Sequence, residues 1–307
     1  MKTKDMEKVL LFYKYVEIER PQEILKWQKK LCTDLDLKGR IIIATEGING
    51  TLGGSSQGCK LYVETMKTNQ YFFDVDFKES RVEGVCFEKL RVVVKDEIVN
   101  LNIDKKVVNA KNGGKHLTPQ EAHSMISEKG RDLIILDARN NYESAVGAFE
   151  NSMKPDIKYF REFPQYIDKN IEIFKDKNVL MYCTGGIRCE RASSYLKLKN
   201  VAKEVYQING GIHRYIEQYP EGYFRGKNYV FDGRVTVKVN NDVLGNCFIC
   251  GVQCDEYQNC LNAVCNRHFI CCKECLQNLG STCSTECAEL INSGKVNVRP
   301  YFKKVEI

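Results

Sequence analysis

Long apolar runs are missing from this 307-residue sequence. The opening segment MKTKDMEKVLLFYKYVEIERP has a short apolar stretch interrupted by Lys14, Glu17 and Glu19, whereas a membrane span needs about 20 apolar residues. It does not read as a secretion signal either, so membrane and exported classes are excluded and the expected location is the cytoplasm. Internal repeats and low-complexity tracts are absent. Charged residues make up 28% of the chain against 43% hydrophobic, a balance that excludes disorder as the default and lets the chain fill more than one core. No flavin or haem motif occurs.

What the chain has is cysteine, fifteen in all. In a reducing compartment thiols serve metal binding or catalysis more often than disulfides, and their distribution shows which. Cys32, Cys59 and Cys86 are scattered, Cys183 and Cys189 share a glycine-rich turn, and the other ten lie between Cys247 and Cys287. The net charge of +6 permits a nucleic-acid partner without demanding one.

In the first hundred residues, VLLFYKYVEI and GRIIIATEGINGTLGG read as strands, and PQEILKWQKKLCTDL and QGCKLYVETMKT as helices. FFDVDFKES and EKLRVVVKDEIVNL add further strand material. The order β-α-β-β-α-β predicts a ferredoxin-like α+β domain over residues 1–110. NAKNGGKH, around Gly113 and Gly114, reads as a linker. Beyond it, Thr118, Pro119 and Glu121 signal a helix start, the strands LIILDAR and VLMYC follow, and CERASSYLKLKN reads as a helix before the strand VYQINGG. Parallel strands alternating with helices predict an α/β domain over 111–228, with its active groups at the carboxyl ends of the strands, where Asp137, Arg139 and Cys183 fall. Residues 229–307 form a small cysteine-rich region.

The segment MYCTGGIRCERA sets Cys183 at a strand end, before a glycine turn, Arg188 and a helix start. The glycines let consecutive backbone N–H groups turn inward, while the helix end and the arginine add positive charge, so an anionic sulfur is stabilised. Cys183 is therefore the predicted nucleophile, with a lowered pKa. Four residues separate it from Arg188, one fewer than in the cysteine phosphatases of related design, which suits sulfur better than a phosphoryl group. The backbone of Thr184, Gly185, Gly186 and Ile187 is expected to cradle the substrate. Cys189 could resolve an oxidised Cys183 or simply bury against the sheet. Asp137 and Arg139 read chiefly as an ion pair fixing the neighbouring strand end, with Arg139 also a candidate for touching substrate. His116 and His213 read as ordinary polar residues.

In the tail, CxxC at Cys247 and Cys250 and again at Cys272 and Cys275 has the spacing of a four-thiolate zinc site. Cys260, Cys265, Cys283 and Cys287 could form a second, interleaved site. Cys254 and Cys271 are left over, and His268 could stand in for a thiolate. A segment so poor in large apolar residues needs such staples to fold.

CTGGIR, LDARNNYE from Leu136 and NGGIHRY from Asn209 resemble a rhodanese domain. Together with EGINGT at Glu46, KLRVVVKDEIV at Lys89, KYFREFP at Lys158 and FDGRV at Phe231, they are similar to the rhodanese-related tRNA uridine hydroxylases over nearly the whole chain. The resemblance implies dioxygen-dependent formation of 5-hydroxyuridine at the wobble position in the tRNA anticodon loop, and suggests that Arg161, in YFREFP, reaches a phosphate. The basic stretch at Lys105 and Lys106 and the zinc tail would help hold the tRNA. Two other readings stay open: sulfur transfer through a Cys183 persulfide, and a non-catalytic module that binds RNA or protein through the tail.

Overall fold

The computed structural model describes residues 7–299 except 85, 129 and 131. Strand β1 (Glu7–Tyr15), helix α1 (Pro21–Asp34), β2 (Lys38–Ala44), β3 (Gly47–Ser55), α2 (Ser56–Lys67), β4 (Lys78–Val82) and β5 (Leu90–Val94) build the first unit. Its sheet runs β4-β1-β3-β2-β5. The first four strands have the expected split βαβ order, and β5 extends it, parallel to β2. FFDVDF is not strand: residues 71–74 form turns, and Phe72 drops wholly buried into the core beside Trp27. Alternation governs the sheet. Leu10, Phe12, Ile41, Ile43, Ile48 and Leu52 point to the helices and form the core. Leu11, Tyr13, Asn49, Thr51, Arg40 and Ile42 occupy the alternate positions, on the face without helices.

A second sheet is wholly parallel, in the order β6 (Lys115–Leu117), β10 (Glu204–Ile208), β9 (Asn178–Tyr182) and β7 (Leu133–Asp137). Its helices are α3 (Pro119–Ser127), the single turn α4 (Asn141–Ser144), α5 (Phe163–Lys169), α6 (Ile187–Leu198) and α7 (Gly211–Gln218). Helix α3 opens with the expected cap, Thr118 and Glu121 bonding reciprocally in a capping box. Strand β8 (Gly147–Phe149) pairs with β11 (Phe224–Tyr229), which continues to β12 (Thr236–Lys238). The tail holds the hairpin β13 (Tyr257–Asn259) and β14 (His268–Ile270), followed by α8 (Lys273–Asn278) and α9 (Thr285–Asn292). Among the described residues no helix is long and apolar enough to cross a membrane.

Helix α6 is buried from Arg188 to Leu196 because both units close on it. Its polar side chains are therefore committed. Glu190 accepts from Tyr13 of β1 at 2.9 Å and contacts His116 and Gln207. Arg191 pairs with Glu97 and donates to the carbonyls of Ile103 and Val108. The segment that reads as a linker is packed here too, since Gly114 N–H donates to Ser193 Oγ at 2.7 Å and a Cβ on Gly114 would stand 2.7 Å from the Val205 carbonyl oxygen.

Removing one partner of a buried ion pair costs about 3–5 kcal/mol, because the other charge stays buried and uncompensated. Arg191→Ala, which leaves Glu97 in that position, is expected to lower the thermal unfolding midpoint clearly in scanning calorimetry. An unchanged midpoint would show that this pair does not hold the units together.

Candidate active site

Strand β9 delivers Cys183 to the carboxyl edge of the parallel sheet, and α6 begins four residues later. The turn between them depends on Gly186, whose φ of +104° is a conformation that side chains disfavour. It directs the Gly186 N–H onto the Cys183 sulfur at 3.1 Å. The carbonyls of the loop face the other way. Cys183 O accepts from Ile212 N–H at 2.9 Å and Thr184 O from His213 N–H at 3.0 Å, both at the start of α7. Gly211 permits that contact, since a Cβ there would lie 2.3 Å from the Cys183 carbonyl oxygen. The NGG turn is thus the backing that holds the loop amides toward the sulfur.

Burial pushes the Cys183 thiol up, but a hydrogen bond from Cys189, the Arg188 charge and the Arg188 and Cys189 amides together outweigh it and bring the pKa down to about 6. Cys189 is pushed up instead, by burial and by bonding to the Cys183 anion, so it stays a thiol. Arg188 is held by a residue the sequence reading left out of the site. Glu143, fully buried on α4, takes the guanidinium in a fork at 2.5 and 2.6 Å. It also accepts the Asn140 N–H at 3.1 Å, and Thr184 Oγ1 lies 3.4 Å from both Glu143 and Arg188. In LDARNNYE the sequence marks Glu143 only as an acid three residues after a capping asparagine, which locates a helical turn and not the partner of Arg188.

Cys183 lies at the floor of a cleft of about 1200 Å³. One wall is the loop itself, with Thr184, Gly185, Ile187 and Arg188, and the other is the helix-free face of the first sheet. That face closes the cleft at one side, where Leu11 packs on Gly185 and the Tyr13 hydroxyl on Gly186. His213, read from sequence as an ordinary polar residue, turns into the cleft and bonds Ser80 of β4 at 3.2 Å. Phe231 stacks over Arg188 at 5.8 Å, and the Asp232–Arg234 pair, at 2.6 Å, completes the rim.

Two candidates lie elsewhere. Arg139 is fully buried against Asp137 at 2.7 Å and the Gly147 carbonyl at 2.6 Å, so it fastens β7 to β8 and does not line the cleft. Arg161 is exposed on a short turn with its guanidinium over Tyr159, while its neighbour Phe160 lines the cleft. Lys105 does line it, hydrogen-bonded to Thr45.

All fifteen cysteines are free thiols. In the tail, Cys247, Cys250, Cys272 and Cys275 form one group and Cys260, Cys265, Cys283 and Cys287 another, each with its sulfurs within 4.8 Å of one another. Both groups are able to hold a metal ion. His268 belongs to neither: it bonds Tyr229 and Asn259 and stacks on Tyr257.

Residues 7–98 match the family described as UPF0176 acylphosphatase like domain, 118–218 the rhodanese-like domain and 225–288 the rhodanase C-terminal family. Curated relatives match over most of their length. A tRNA uridine(34) hydroxylase of Cytophaga hutchinsonii is 45% identical, the alignment covering 91% of this chain and 89% of the relative. Proteins of the same name from Enterococcus faecalis and Bacillus licheniformis are 41% and 40% identical, with 92% of this chain covered in both cases and 90% and 89% of the relatives.

A thiol with a pKa of about 6 becomes anionic as pH rises through that value, so Cys183 should be alkylated by iodoacetamide with a rate that climbs between pH 5 and 7 and then levels. Cys189→Ala removes a donor to the anion and should displace the curve to higher pH. Mass-spectrometric counting of labelled Cys183 gives both curves, and coincident profiles would show that Cys189 does not stabilise the thiolate.

Proposed function

The chain belongs to the tRNA uridine(34) hydroxylase family, and on that premise we propose that it converts the wobble uridine of tRNA to 5-hydroxyuridine through the Cys183 thiolate. The observation that carries this reading is the stabilised anionic sulfur at the floor of a cleft roomy enough for a nucleotide. The relatives' name supports tRNA as the substrate, and the proposal places the reaction at the anticodon loop in the cytoplasm. A base must leave its stack to reach such a floor, which single-stranded loops permit cheaply.

The thiolate adds to carbon 6 of uracil, and the electron pair of the C5=C6 bond moves to carbon 5 and the O4 enolate. Carbon 5 then attacks dioxygen to give a C5 hydroperoxide, whose O–O bond the two small thiols reduce, leaving the C5 hydroxyl, water and a disulfide. Loss of the C5 proton and expulsion of the Cys183 thiolate restore the double bond. The balance is uridine, dioxygen and two equivalents of a small thiol going to 5-hydroxyuridine, water and a disulfide, so the reaction is an oxidation with thiol as the electron donor. Gly186 N–H and Arg188 stabilise the sulfur before addition and after expulsion, while Glu143 keeps the guanidinium in place.

In the tail the donor chemistry fits zinc. Sulfur pairs stand at 3.7 Å (Cys250, Cys272), 3.5 Å (Cys265, Cys283) and 3.9 Å (Cys283, Cys287). The edge of a tetrahedron with Zn–S distances of about 2.3 Å is about 3.8 Å. Four protein ligands close each site, so zinc there would be structural.

Two experiments test these readings. Unmodified tRNA incubated in air with protein and a small thiol should yield 5-hydroxyuridine by nucleoside mass spectrometry, with at least a hundredfold loss in Cys183→Ser. Thiosulfate-to-cyanide sulfur transfer with no modified nucleoside would make the protein a sulfurtransferase instead. For the metal, elemental analysis of purified protein should give two zinc ions per chain and one after Cys260→Ser/Cys283→Ser. Absence of zinc, or iron in its place, overturns the assignment.

A further inference from the structure

Strands β2 and β5 carry an arrangement that a sheet ordinarily avoids. They pair in parallel with Arg40 directly beside Arg91, both exposed and both on the helix-free face. Like charges on adjacent cross-strand positions repel. Among the described residues neither arginine side chain has a hydrogen bond or ion pair, and partial burial together with Arg91 lowers the Arg40 pKa. Lys95, one residue past the end of β5, bonds Ile43 through its backbone, and its exposed side chain has no hydrogen bond or ion pair among the described residues. Arg40, Lys95 and Lys105 all line the cleft that ends on Cys183, on the side the catalytic loop leaves open. Acids are near: Asp96 and Asp104 also line it, while two further carboxylates of the cleft are in ion pairs, Glu97 with Arg191 and Asp232 with Arg234.

We infer that Arg40, Arg91 and Lys95 form a seat for the phosphodiester backbone of the RNA strand that feeds a base to Cys183. The proposal rests on the tRNA reading and adds to it where the strand runs. Consecutive phosphates lie close enough for one chain to neutralise both arginines, which removes their repulsion and releases counterions. A flipped base on the Cys183 floor leaves its flanking phosphates at the cleft mouth, where Arg40 and Lys95 line the wall and Arg91 stands beside Arg40 on the next strand. Planar guanidinium groups suit the task, because each can take two phosphate oxygens at once. Asn49 and Thr51, in register with Ile42 and Arg40 on β3, lie between this edge and the loop, in the path of the base.

The test is binding of an anticodon stem-loop RNA, followed by fluorescence anisotropy across a salt series, to the full chain and to Arg40→Gln/Arg91→Gln. The double variant should bind about tenfold more weakly at moderate salt, and the slope of log affinity against log salt should fall by roughly 1–2. Arg40→Lys/Arg91→Lys should recover most of the slope. Calorimetry checks that the double variant folds, its midpoint being equal to or above that of the parent since a repulsion has gone. Unchanged affinity and slope overturn the seat. Failure of the tRNA reading looks different: the parent chain then forms no 5-hydroxyuridine and its own RNA affinity is weak before any arginine is changed.

Discussion

A thiolate kept in a fully buried loop is the constraint from which the rest of the site follows. Burial alone drives a thiol toward its neutral form, so each nearby donor must be fixed before the sulfur ionises. Gly186 supplies an amide, the first turn of α6 supplies two more, and Arg188 supplies a full charge. That charge must itself be buried, at a cost of several kcal/mol. Glu143 offsets this with two short charged hydrogen bonds, and the pair is then close to neutral. The sulfur is stabilised by the direction of the donors more than by net positive charge, which leaves the floor compatible with an uncharged base.

The same requirement explains why two glycine pairs frame the loop. If its amides point inward, its carbonyls point outward and need donors of their own. The start of α7 provides them, and it comes near enough only because Gly211 has no side chain. Cys189 fits the scheme as a donor: buried, neutral and bonded to the anion.

Much of this was legible in the sequence. The helix start at Thr118, the four-strand order of the first sheet and the strand-loop-helix around Cys183 follow from periodicity and capping, which are local properties. What was not legible depends on approach between distant segments. Glu143 lies 45 residues from Arg188, and nothing local marks an acid on a single helical turn as its partner. Arg139 shows the opposite case: its ion pair with Asp137, two residues away at the same strand end, is local and is the chief reading the sequence supports. FFDVDF looked like a strand because aromatic residues favour strands, yet one buried Phe can be satisfied equally by a turn over the core. The use of the first sheet's bare face as the roof of the cleft could not be read at all, since alternation shows that a face exists without showing what covers it.

The tail has a structural stake in the same network. Helix α4 is a single turn, far too short to hold itself in water, and yet it must present Glu143 to Arg188. Packing has to hold it. Tyr257 of β13 donates its hydroxyl to the Tyr142 carbonyl on that turn, and Tyr142, Tyr229, Tyr257 and His268 pack into one cluster, mostly edge to face, at centroid separations of 4.3 to 6.3 Å. Lys227 of β11 joins Asp255 and Glu256 just before the hairpin. The hairpin has only three residues in each strand, below what an isolated pair needs for stability, so its rigidity must come from the cysteine groups on either side of it. A contiguous path of bonded groups therefore runs from the thiol-rich tail through Tyr257 and Tyr142 to Glu143 and Arg188. The tail belongs to the apparatus that positions the charge beside Cys183.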